Sequence, residues 1–170
     1  IYHDRYIVWG ELYNQSVNFI EKQQNDKAVA PLKLAALVEP DNPVTYSLLC
    51  KLFFEMGSEH FSKSIKNADK ALSIDDSLAD LLTIKGEIAK ANGDFMKAEE
   101  YLKKAYNTAI LNKETPEQLT FHMANLFDIL FTNGKKNEAL GLSEKLIESD
   151  PENVALYSNA GALYQNILID

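Results

Sequence analysis

The chain has 170 residues, 46% hydrophobic content and a formal charge of −8, enough apolar material for one folded domain or a short repeat array rather than a disordered chain. The acidic balance and a single arginine, Arg5, argue against a nucleic-acid partner, which needs a basic face to neutralise phosphates. One cysteine, Cys50, excludes an internal disulfide and a thiolate metal cluster, and no apolar run approaches membrane-spanning length.

Helix-period segments separated by short breaks run along the whole chain, so the sequence reads as all-α. The spacing predicts helices over 3–23, 26–38, 43–56, 59–74, 77–92, 94–112, 115–133, 135–149 and 152–169. The first carries Tyr2, Tyr6, Trp9 and Tyr13 at i, i+4, i+7 and i+11, all on one face. That stripe either packs against the following helix or an upstream repeat, or forms an aromatic contact surface for a partner. The second, "AVAPLKLAALVEPDN", places Ala28, Leu32, Ala35 and Pro40 in sequence. Tyr46, Leu49, Cys50 and Phe53 follow on the third, and Ser64, Ala68, Ala71 and Asp76 on the fourth. The turn between these two, "MGSEHFSK", is long by about two residues against the period that follows.

The clearest unit is "LLTIKGEIAKANGDFMKAEEYLKKA" at 81–105. Leu82, Gly86 and Ala89 lie on one helix and Ala98, Leu102 and Ala105 on the next. Gly93 and Asp94 make the turn, with Asp94 placed to cap the second helix. Gly86 and Ala98 let two backbones approach closely. A longer connection, "ILNKETPEQ", leads to a helix in which either Ala124 or Phe127 takes the corresponding small-residue place, followed by Gly134, Ala139, Leu146 and Pro151. The last segment, "NVALYSNAGALYQNILID", has Tyr157, Ala160, Gly161 and Tyr164.

These spacings resemble the tetratricopeptide repeat family, whose helical hairpins recur at about 34 residues. The resemblance divides residues 1–170, as one repeat domain, into hairpins over about 9–42, 43–77, 78–114 and 115–151 and a half repeat over 152–170. It implies an all-α fold, a right-handed superhelix or α-solenoid of antiparallel helix pairs, about four hairpins plus a final unpaired helix. The apolar, unfinished last helix, and Ile at position 1, lead us to expect a piece of a longer solenoid.

Sites of chemistry are not evident. HExxH, P-loop, GxGxxG and GxSxG patterns are absent, and His3, His60 and His122 stand alone as surface or groove histidines. Cys50 fits packing better than nucleophilic chemistry. Glu99 and Glu100 read as a solvated face paired with Lys103 and Lys104. No catalytic, metal or cofactor residue is therefore assigned, and the protein reads as non-enzymatic.

In the family the resemblance implies, first helices line a concave face that holds peptides or protein segments. Carried over residue by residue, that face includes Tyr13, Asn14, Lys51, Thr83, Glu87, His122, Asn125 and Asn159. An asparagine amide both donates and accepts, so Asn14, Asn125 and Asn159 either grip an extended backbone or merely solubilise the surface. The lysine/arginine/asparagine clamp by which some members hold acidic chaperone tails is not matched. Tyr13, Val17, Leu48, Asp80 and Ile84 stand at its places, and Lys51 is the one cation nearby. The expected partner is a protein or peptide, with no nucleic acid and no membrane insertion. Self-association through the terminal helices, with Trp9, Tyr157, Tyr164 and Leu168 at the edges, is the alternative. Low cysteine use fits a reducing, cytoplasmic compartment without establishing it.

Overall fold

A computed structural model describes residues 2–149, and beyond them Pro151, Glu152, Val154, Tyr157, Ala160, Gly161 and Gln165. Among the described residues all regular structure is helical. The elements are α1 (Tyr2–Glu21), α2 (Asn25–Val38), α3 (Pro43–Glu55), a 3₁₀ turn (Ser58–His60), α4 (Phe61–Ile74), α5 (Ala79–Ala91), α6 (Phe95–Asn112), α7 (Pro116–Thr132) and α8 (Lys136–Ser149). The eight helices agree with the first eight expected from spacing to within two residues at each end. The ninth segment, with Asn159, Tyr164 and Leu168, lies largely outside the described residues, and those three lie wholly outside them.

The chain forms two compact units, Ile1–Leu81 and Leu82–Asp170. In the first, α1 pairs with α2 and α3 with α4. The α1–α2 turn closes through Gln23, which takes a left-handed φ of 58° and donates its amide to the Ile20 carbonyl at 2.8 Å. Ala28, Leu32, Leu49, Leu52 and Phe53 form the core, with Tyr13, Phe19 and Leu48 against it. Small residues sit where helices touch. Ser16 is fully buried and returns its hydroxyl to the Leu12 carbonyl at 2.9 Å. Ser64 Oγ donates to the Cys50 carbonyl at 2.8 Å, so α3 and α4 meet through a cysteine and a serine. The extra residues of "MGSEHFSK" are taken up by Gly57, at φ 102°, and the 3₁₀ turn.

In the second unit, α5 and α6 meet at Gly86. A Cβ there would stand 2.6 Å from Leu102 Cγ and 3.4 Å from the Ala98 carbonyl oxygen. Ala98, Leu102, Met123, Leu126, Ile129, Leu130, Ala139 and Leu146 form the core. Asp94 caps α6 by accepting from the Lys97 amide at 3.1 Å. Lys85 is half-buried and lays its ammonium 4.5 Å from the centre of the Tyr101 ring.

One expectation is corrected and one open alternative is resolved. The connection "ILNKETPEQ" breaks between the helices where the spacing placed the break, at 113–114. α6 runs to Asn112, Lys113 closes it in a left-handed conformation at φ 55°, and Thr115 starts α7 with Gln118 in a capping box, so the extra residues lengthen the helices. The ambiguous small-residue place in α7 belongs to Phe127, which packs against the core, while Ala124 is exposed. Glu99, expected on a solvated face, is 4% exposed.

Candidate interaction surface

In the first unit, the indole of Trp9 on α1 donates to Thr45 Oγ1 on α3 at 2.7 Å, which gives the buried indole N–H the one acceptor it needs. Trp9 is 9% exposed. It is therefore a packing residue of α1 against α3 rather than a free edge. Tyr13 stacks on it with ring centres 5.3 Å apart and is half-buried. Asn14, one residue on, is exposed. Lys51 on α3 pairs with Asp80 at 2.7 Å, so the expected groove cation is already engaged.

In the second unit, the row of α5 reads Thr83, Glu87, Lys90. Thr83 is buried, and its Oγ1 lies 2.9 Å from Nδ1 of His122 on α7. The other ring nitrogen of His122, Nε2, lies 3.1 Å from Glu114 Oε2 in the α6–α7 connection. This alignment has the composition of a hydroxyl–imidazole–carboxylate set. However, Thr83 is 2% exposed and the His122 side chain 0%, so no substrate reaches the hydroxyl, and its effect is to tie α5, α7 and the α6–α7 connection together. His122 is thus neither isolated nor open to a ligand.

The reason is one of phase. With Phe127 in the place that Gly86 takes in the preceding hairpin, His122 corresponds to Leu81, which is buried, and Asn125 corresponds to Ile84. Asn125 spends its amide on the Phe121 carbonyl of its own helix at 2.8 Å. The outward row of α7 is one residue off the expected one, at Phe121, Ala124, Asp128 and Phe131. Phe121 and Phe131 are 52% and 44% exposed. The sequence reading missed these four because it took the alternative phase. The signal was present in the burial expected of a residue three or four away from Met123 and Leu130.

Lys90 hydrogen-bonds to Asp128 and stands 4.0 Å from Glu87 Oε1. The Asp128 hydrogen bond, against the opposing effect of burial and with help from the charge of Glu87, raises the Lys90 pKa above its ordinary value. Elsewhere in the unit, burial alone would push the Glu99 carboxyl up. Donors from Lys103, Lys135 and Asn133 outweigh it and bring it down to about 2. Lys103, Lys135 and Asn133 approach Glu99 at 2.8, 2.6 and 2.8 Å, which joins α6 to the α7–α8 turn.

A depression of about 570 Å³ lies at the turn end of the first unit, lined by the turn residues Gln23 to Lys27 and by Met56, Glu59 and His60. Among the described residues, no group of three or more His, Cys, Asp or Glu is placed to hold a metal ion, and no helix is long and apolar enough to cross a membrane. Of the edge residues expected, Tyr157 is 49% exposed.

No protein-family profile matches the chain. The chain is similar to DnaJ homolog subfamily C member 3 of Gallus gallus, with 21% identity over 155 residues, covering 86% of this chain and 30% of that protein. It therefore spans less than a third of that relative's length. Solved structures align over most of its length. They include the pilF protein of Pseudomonas aeruginosa, with a TM-score of 0.74 and 18% identity, covering 96% of this chain and 70% of that one. MamA from Desulfovibrio magneticus RS-1 gives a TM-score of 0.77 and 14% identity, covering 94% and 85%. A thermophilic TPR protein of Thermus thermophilus gives 0.66 and 18%, covering 91% and 80%. At these identities the likeness is one of fold.

Proposed function

The protein has the tetratricopeptide-repeat fold, and from that premise we propose that it is a non-enzymatic scaffold that holds a protein segment against the outward rows of its first helices. The observation that carries this reading is the row on α7. Phe121, Ala124 and Phe131 are exposed on a helix whose opposite side supplies Met123, Leu126 and Leu130 to the core. Two large aromatic side chains on the solvent side of an otherwise amphipathic helix are what a contact surface requires. Tyr13, Asn14 and Val17 on α1 give the first unit a similar row of mixed character. The repeat boundaries at about 42, 77, 114 and 151 are part of the same proposal.

Site-specific photo-cross-linking tests it. A benzophenone side chain introduced at Asn14 or Phe121 is expected to capture a partner protein, and one at Met96 on the second helix α6, which is 71% exposed, is not. Capture from Met96 and not from the first-helix positions would refute the assignment of the surface.

A second reading is supported by α1, where Tyr6, Ile7 and Val8 are 61%, 46% and 44% exposed. This exposed turn of α1 suits another copy of the chain or a further hairpin. Light scattering across a range of concentrations checks self-association. A mass that stays monomeric throughout removes the version in which copies of this chain pair.

A further inference from the structure

Glu87 and Asp128 share one ammonium. Lys90 is committed to Asp128 by a hydrogen bond, and its distance of 4.0 Å from Glu87 Oε1 is too long for a second one. That oxygen is buried and has no hydrogen-bond donor. Two carboxylates against one lysine leave this spot a net negative charge, and it sits beside the exposed row of Phe121, Ala124 and Phe131. An acidic segment laid here would be repelled. A purely apolar one would cover the exposed part of the Glu87 side chain, 31% of it, and take its charge out of water with no new donor, which is costly. A second copy of a chain with a formal charge of −8 brings the wrong sign.

We infer that this face of α5 and α7 takes a segment in which a lysine or arginine is flanked by apolar side chains. The cation pairs with the Glu87 carboxylate, and the apolar groups cover Phe121 and Phe131. The inference rests on the first-helix reading above and adds the chemical class of the segment.

Fluorescence anisotropy with the full chain and three labelled synthetic peptides of equal length tests it: one alternating leucine with lysine, one leucine with glutamate, one serine with lysine. The leucine–lysine peptide is expected to bind at least about tenfold more tightly than either other. Glu87→Gln should weaken it about three- to tenfold and flatten its dependence on salt, and Phe121→Ser with Phe131→Ser should bring it to the level of the serine–lysine peptide. Phe121 and Phe131 are exposed and Glu87 is partly buried, and circular dichroism confirms that each variant is folded. Tighter binding of the leucine–glutamate peptide, weakened by Phe121→Ser, would overturn the cationic class and keep the first-helix surface. Binding of the leucine–lysine peptide that no change on α5 or α7 alters would overturn the inference and the α5–α7 surface together.

Discussion

Replacing Glu99 by glutamine keeps the shape of the side chain and removes its charge. The carboxylate is 6% exposed and receives two lysines and an amide. Its fall from an ordinary 4.5 to about 2 is equivalent to about 3 kcal/mol at 1.36 kcal/mol per tenfold change. Lys103 and Lys135 are themselves 39% and 35% exposed, so solvent screening brings the expected value to about 1–3 kcal/mol. The folded carboxyl has the lower pKa. Its contribution is therefore complete above the unfolded value and is lost as the pH falls through about 4.5 towards 2. Urea denaturation followed by far-ultraviolet circular dichroism should show Glu99→Gln less stable than the parent by about 1–3 kcal/mol near neutrality. The gap should close in acid. A gap under about 0.5 kcal/mol near neutrality, within the range of ordinary surface changes, or one that persists undiminished at the lowest pH, would refute the assignment of Glu99 as the charged joint between α6 and the α7–α8 turn.

Gly86→Ala should lower stability by about 1–3 kcal/mol, because the clash with Leu102 outweighs the gain of about 1 kcal/mol in helix propensity; thermal denaturation measures the sign. Trp9→Phe and Thr45→Val should each cost about 1 kcal/mol, and the double change should cost less than their sum, since one hydrogen bond is removed in both. Lys113→Gly should raise stability by about 1 kcal/mol by relieving a left-handed conformation that a side chain disfavours. His122→Ala should cost about 2–3 kcal/mol in chemical denaturation, whereas Asn125→Ala should move stability by no more than about 0.5 kcal/mol.

The helices were legible in the sequence because small and large apolar residues recur at fixed places. Ala28, Gly86, Ala98 and Ala105 mark helix contacts that tolerate little else, and Asp94 announces a helix start by its capping chemistry. What was not legible arose where two phases fit equally well. In α7 both Ala124 and Phe127 satisfied the apolar pattern, and the three residues between them turn a helix by about 300°, a rotation of about 60° in the opposite sense. His122 thereby moved from the expected surface into the packing, Asn125 turned its amide onto its own helix, and Phe121 and Asp128 stand in the outward row. Glu99 was misjudged for a different reason. A carboxylate four residues before a lysine reads as an exposed pair, and the donors that permit its burial, Asn133 and Lys135, are supplied from more than thirty residues away. Trp9 is a similar case, since its acceptor, Thr45, lies on another helix.

The two links between α5 and α7 also define a length. Thr83 meets His122, and Lys90 meets Asp128, so the two helices run in the same direction and are held at two points about two turns apart, or about 10 Å along the axis. Sliding one helix past the other by a single turn would break both links at once. The pair therefore behaves as a fixed gauge. An extended chain advances about 3.3 Å per residue, so a segment bound along this face as proposed would meet equivalent points on the gauge about every third residue.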